Sequence, residues 1–172
     1  MSHLTHALRA AAAAALMGSF ACLGTVTAHA DPTASSADLN TLAGSLSKGY
    51  TIDSCKSGSL SGPVLAELDC GQSPDSSGPA SAIYQLFSST TDLSSAFTSN
   101  IHDISLTACG DGGQSPGTWH QGSSGTAGQV ACGTYQGAAT LTWTIDAKKV
   151  LGHLRASNTD NGALYKWWQT NG

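Results

Sequence analysis

Thr140-Leu141-Thr142-Trp143-Thr144-Ile145 alternates threonine with a large apolar side chain through six consecutive positions. Successive side chains of an extended chain point to opposite faces, so this stretch hides Leu141, Trp143 and Ile145 together and shows threonine on the other side. That pattern predicts a strand in a half-buried antiparallel sheet. Around it, Ile104 to Cys109, Gly117 to Gln121, Gln129 to Tyr135 and Val150 to Arg155 read as further strands separated by glycine-rich turns. Upstream, Val64-Leu65-Ala66 leads through Leu68 to Cys70 as another strand. Pro79 to Ser88, with Ile83, Tyr84, Leu86 and Phe87, is its antiparallel partner across the Pro/Ser/Asp/Gly cluster at 71–78.

Helical spacing interrupts the strands in three places. Over 38–47, Asp38 stands as N-cap before Leu39, Leu42, Ala43 and Leu46, and Asp92 caps a stripe of Leu93, Ala96, Phe97 and Ile101. The third, Asp160 to Gln169, carries Leu164, Tyr165, Trp167 and Trp168. Neighbouring helical positions point about 100° apart, so Trp167 and Trp168 do not both face one core, and one of them is expected at the surface or roofing a groove. This element order, with connections too short for most parallel crossovers, predicts an α+β fold: an antiparallel sheet of six to seven strands packed with two to three helices.

Residues 1–30 read as a secretory leader. His3, His6 and Arg9 form a weakly basic start, Ala10 to Leu23 is a small-residue apolar stretch, and Ala28-His29-Ala30 supplies the small-x-small pattern for cleavage before Asp31. A retained anchor is the rival reading, but Gly18, Ser19, Gly24, Thr25 and Thr27 dilute the apolar run. Cys22 follows Ser19-Phe20-Ala21 and lacks the upstream leucine of a lipidation site. After cleavage, 31–37 is a short linker and 38–172 a single domain, long enough to bury one core and too short for two ordinary ones. No later apolar run reaches membrane-spanning length, so no span is expected in the mature chain.

Charged residues are 10% of the chain, far below the roughly 25% of ordinary globular domains. Without Arg9 the mature part has six Lys/Arg against eleven Asp/Glu. Nothing in it forms the dense positive face that a phosphate backbone requires, so nucleic acid is not an expected partner. Cys55, Cys70, Cys109 and Cys132 remain after the leader, an even number in a chain bound for an oxidising compartment. Of the three pairings open to four cysteines, Cys55 with Cys70 and Cys109 with Cys132 is favoured, because each closes a short loop suited to a local hairpin. Zinc ligation is the rival use, but the C-x2-C spacing is missing, and neither a metal nor a cofactor is expected.

Gly113-Gln114-Ser115-Pro116-Gly117 satisfies the G-x-S-x-G nucleophile pattern, and Asp146 and His153 follow in the order that α/β-hydrolases use. His120 is a second candidate base for Ser115. The elbow requires a strand before the serine and a helix after it, whereas Pro116-Gly117 running into Thr118-Trp119-His120 reads as a turn entering a strand. His102, His120 and His153 show no metal-binding spacing, and Glu67 with Asp69 would share a strand face as a pair of surface carboxylates. Among the aromatics, Trp119, Trp167 and Trp168, with His120 beside them, are the candidate ligand-binding set. Core filling is the competing role for most of these rings.

Several segments together resemble a group of mycobacterial exported proteins and the extracytoplasmic, sensor-like C-terminal modules of mycobacterial serine/threonine protein kinases. They are Cys70-Gly71-Gln72, Tyr84-Gln85-Leu86-Phe87, Gly113-Gln114-Ser115-Pro116-Gly117-Thr118-Trp119-His120, Gly128-Gln129-Val130-Ala131-Cys132-Gly133-Thr134-Tyr135 and Leu164-Tyr165-Lys166-Trp167-Trp168. The resemblance implies a non-catalytic module on the outer face of the cell, and it brings no ligand or catalytic residue with it. Kinase motifs are missing from this chain, which excludes phosphoryl transfer of that kind. The expected function is a secreted binding or sensor-like module of the bacterial envelope, engaging an envelope ligand or protein. A small secreted serine hydrolase using Ser115 and a structural envelope protein are the alternatives.

Overall fold

In the computed structural model, which describes residues 33–123 and 125–172, the alternating segment is strand β7, Ala138–Ile145. Its apolar face packs as expected, with Leu141 and Trp143 inside. The threonine face differs from expectation. Thr140, Thr142 and Thr144 are 1%, 0% and 1% exposed, because a helix lies across that side of the sheet as well. Each buried hydroxyl has a partner: Thr140 donates to Gly133 O, Thr142 to Asn100 Oδ1 and Thr144 to Asp146 Oδ1. Paired in this way, hydroxyls are tolerated where unpaired ones would be costly.

The elements run α1 (Ser36–Ala43), β1 (Cys55–Ser57), β2 (Val64–Cys70), β3 (Ser81–Phe87), α2 (Thr90–Ile101), β4 (Ser105–Thr107), β5 (Gly117–His120), β6 (Thr126–Tyr135), β7, β8 (Val150–Arg155) and α3 (Asn161–Asn171). All eight strands join one antiparallel sheet in the order β1-β2-β3-β8-β7-β6. The free edge of β6 is shared by β5 along 126–130 and β4 along 132–134. The α+β architecture is therefore as read from the sequence, with three helices and one strand more than expected. The leader assigned to residues 1–30 lies outside the described residues. Among those described, no helix is long and apolar enough to cross a membrane.

Local chemistry fixes the register. Gln136 and Gly137 both have positive φ, 47° and 74°, between Tyr135 and its partner Ala138. A two-residue turn of this hand matches the twist of the strands it joins, so β6 and β7 form a tight hairpin. Gly152 faces Trp143 across β7 and β8, and a Cβ there would overlap the indole ring.

Two layers cover the sheet. On one face Leu42 of α1 and Leu164, Tyr165, Trp167 and Trp168 of α3 pack over Leu68, Tyr84, Leu141, Trp143 and Leu154. On the other, Leu93 and Phe97 of α2 close a smaller cluster with Phe87, Ala131 and Leu151. The helix starts differ from expectation. Ser35 and Ser89 are the N-caps, each accepting from the backbone N–H of the aspartate three residues on, Asp38 and Asp92, and donating to its carboxylate. The aspartates thus occupy the first turn instead of the cap, where their charge suits the helix N-terminus, and α1 begins inside the expected linker.

The cysteines pair as favoured, Cys55 with Cys70 and Cys109 with Cys132. Cys55 and Cys70 face each other directly across β1 and β2. The second bridge ties the segment after β4 to β6 near the opposite edge of the sheet.

Candidate functional site

The edge strand β5 and helix α3 carry the aromatic candidates, and the fold brings most of them together. Trp119 lies opposite Gly128 of β6, where the backbone passes so closely that a Cβ at 128 would overlap the carbonyl of Thr144. That same carbonyl accepts from Trp119 Nε1 at 2.8 Å, which locks the indole inward across the strand edge. Trp168 meets it from α3 with ring centroids 5.4 Å apart at 81°, an edge-to-face contact. Tyr165, one helical turn earlier on the same stripe, stacks on Trp168 at 5.6 Å and 27°.

Around these three rings is a hollow of about 560 Å³. Its rim is polar, with Lys48, Thr118, His120, Gln121, Gln169 and Thr170, and Gly172 closes one side. Lys48 is placed by two bonds to the end of α3: its backbone N–H donates to Asn171 O at 2.7 Å and its ammonium to Thr170 O at 3.0 Å. Trp119 is half-buried and His120 exposed, in step with the alternation along β5, and the register against β6 shifts between them.

One polar group at this hollow has no partner among the described residues: the buried Nε1–H of Trp168. Gly172 lies against that indole edge, its backbone N–H donating to Trp168 O at 2.7 Å. An unsatisfied buried donor costs about 1–3 kcal/mol relative to a paired one.

Of the four ligand-binding candidates, Trp119, His120 and Trp168 border the hollow and Trp167 does not. Trp167 is only 6% exposed and Trp168 5%, so both are buried, against the expectation that one would be superficial. The reason is a second cover on α3. The turn after β2 places Asp75 where its carboxylate accepts from Trp167 Nε1 at 3.0 Å, and Gly78 leaves room for the ring. Hydrogen bonds from the Ser77 backbone and hydroxyl, and then from this indole, hold the Asp75 carboxyl below the usual carboxylate range.

The hydrolase candidates are dispersed. Ser115 Oγ donates to Cys132 O at 2.9 Å and accepts from Cys132 N at 2.7 Å, mimicking a strand partner at the sheet edge. A cis Ser115-Pro116 bond then leads straight into β5, and no helix follows the serine. His153 lies on β8 with Nδ1 2.8 Å from Thr142 Oγ1, and Asp146 accepts from Thr144. His120 is at the other end of β5 from Ser115. No hydrogen bond joins any two of Ser115, His120, Asp146 and His153 among the described residues. Burial, and secondarily the charge of Arg155, pushes His153 down to about 4.

Sequence reasoning missed the part of Lys48, Gln169 and Thr170 in the hollow. Tyr165 carried a signal in its spacing of three from Trp168. Lys48 carried none, since only the fold brings the loop after α1 to the end of α3. Comparison of the chain with family models, characterised proteins and solved structures finds no match.

Proposed function

We propose that this chain is an exported, non-catalytic binding or sensor-like module of the bacterial envelope, and that it receives its ligand in the hollow between β5 and α3. The carrying observation is the convergence of Trp119, Tyr165 and Trp168 with a polar rim on one concave surface. The accessible lining is mostly polar, so a ligand there would meet hydrogen-bonding side chains with the rings packed behind them. The two disulfides fit an oxidising compartment outside the cytosol. The engagement of Ser115, His153 and Asp146 in separate structural hydrogen bonds weighs against hydrolysis.

Titration with solubilised envelope fractions tests the reading. A binder gives a saturable change in tryptophan fluorescence that Trp119→Ala removes, whereas a structural protein gives none. A fluorophosphonate probe that labels Ser115, or turnover abolished by Ser115→Ala, would favour the hydrolase instead.

A further inference from the structure

Given the reading above that the hollow is the binding site, the strand that forms its wall narrows what enters it. β5 pairs with β6 along one side, and its other side has no strand partner among the described residues. The alternation of an antiparallel ladder decides which of its backbone groups face outward. Gln129 of β6 directs its N–H toward β7, where Thr144 Oγ1 accepts it at 2.9 Å. Three residues on, Cys132 turns its N–H and C=O to the opposite edge, where Ser115 Oγ engages both. Thr118 stands directly opposite Gln129. The two therefore form a non-hydrogen-bonded pair, and the N–H and C=O of Thr118 both point away from β6. Thr118 is exposed, and these groups have no backbone partner among the described residues. A free donor and acceptor side by side on an extended chain are what another extended chain pairs with.

Charge selects the side chain that accompanies it. Trp119, next to Thr118, faces α3, so a residue added beside Trp119 sends its side chain to the same side of the sheet, into the hollow. The groups within reach there are mostly polar. The Lys48 ammonium gives one proton to Thr170 O and keeps two. No aspartate or glutamate side chain lines the hollow, and Lys48 has no ion-pair partner among the described residues. We propose that the hollow receives an extended peptide segment that adds antiparallel to β5. An Asp or Glu side chain beside Trp119 is taken by Lys48, and the residue after it exchanges both backbone hydrogen bonds with Thr118. The backbone bonds give affinity, and the carboxylate gives the preference among sequences.

The probe is the heptapeptide acetyl-Ser-Thr-Val-Glu-Val-Thr-Ser-amide, set against its copy with glutamine in place of the glutamate. Both are titrated into the full chain labelled with ¹⁵N. The expected result is saturable binding of both, the glutamate peptide about fivefold tighter, which is one exposed ion pair of about 1 kcal/mol. The Thr118 amide shifts downfield and gains protection from hydrogen exchange. N-methylation of the valine after the glutamate abolishes binding, whereas N-methylation of the glutamate, whose own N–H faces away from β5, leaves it. Lys48→Met brings the two peptides to equal affinity, and in the unaltered chain about 1 M salt does the same.

Equal affinity of the two peptides for the unaltered chain at low salt overturns the acidic assignment. A peptide bound with the Thr118 amide unmoved overturns strand addition. If neither peptide binds while envelope fractions still give the fluorescence change that Trp119→Ala removes, the ligand is not an extended peptide and the reading of the hollow stands. If envelope fractions leave the fluorescence unchanged, the reading of the hollow itself has failed.

Discussion

Trp143 and Gly152 show how one close approach organises the larger core. The indole of Trp143 is 1% exposed, contacts Tyr84 and Trp168 edge-on at 5.8 and 5.9 Å, and occupies the space that a side chain at 152 would take. Gly152→Ala is expected to force the ring off its position and to cost about 1–3 kcal/mol in urea unfolding, as overpacking does. His153, the next residue, sets a pH dependence. Its folded value of about 4 lies below the ordinary 6.5, so the unfolded chain takes up a proton first as pH falls. The neutral imidazole therefore contributes fully above pH 6.5, and this contribution, about 3 kcal/mol, is lost between 6.5 and about 4. Unfolding midpoints measured across that window should flatten in His153→Gln. A His153→Gln protein with the same slope as the parent would place the titrating group elsewhere.

At the scale of elements, what the sequence discloses depends on how local the cause is. The β7 alternation, the α2 stripe and the two disulfide loops are properties of neighbouring residues, and all are where the pattern puts them. The caps moved because Ser35 and Ser89 compete with Asp38 and Asp92 for the same role, and the serine that precedes the first turn wins the N-cap geometry. The buried threonine face was not legible, because its cover comes from α2, some forty residues earlier in the chain. Beside the apolar contacts of Leu93 and Phe97, α2 meets that face through the bond from Thr142 to Asn100 Oδ1 near its end, and its opening turn relies on the Ser89 cap. Ser89→Ala should cost about 1 kcal/mol of stability and raise amide exchange first in the opening turn of α2, measured by hydrogen–deuterium exchange. Uniform protection along α2 in the variant would show that the Leu93 and Phe97 contacts alone hold the helix.

For the whole molecule, the strand order separates what local signals reach from what they do not. Strand β8 inserts between β3 and β7 although some sixty residues lie between β3 and β8, and β4 and β5 divide one edge of β6. Trp119 and Trp168 meet only because that edge lies under α3, so the sequence nominated both rings without showing that they touch, and it could not assign Trp167 its separate cover. The same topology gives the two disulfides unequal work. Cys55–Cys70 joins the strands at the β1 edge, far across the sheet from β5. Cys109–Cys132 fixes the start of the segment that becomes β5, and Cys132 is also the residue whose backbone holds Ser115 just before Trp119. Each bridge is worth about 2–4 kcal/mol by restricting the unfolded chain, so losing either should lower the unfolding midpoint. Binding should distinguish them. Cys55→Ala/Cys70→Ala is expected to leave the tryptophan fluorescence titration with envelope fractions unchanged under conditions where the protein remains folded. Cys109→Ala/Cys132→Ala should weaken it by about tenfold, one 1.4 kcal/mol step, because β5 loses its anchor and Trp119 its fixed approach to Trp168. Equal loss in both variants would mean that binding follows global stability and not the geometry of the β5 edge.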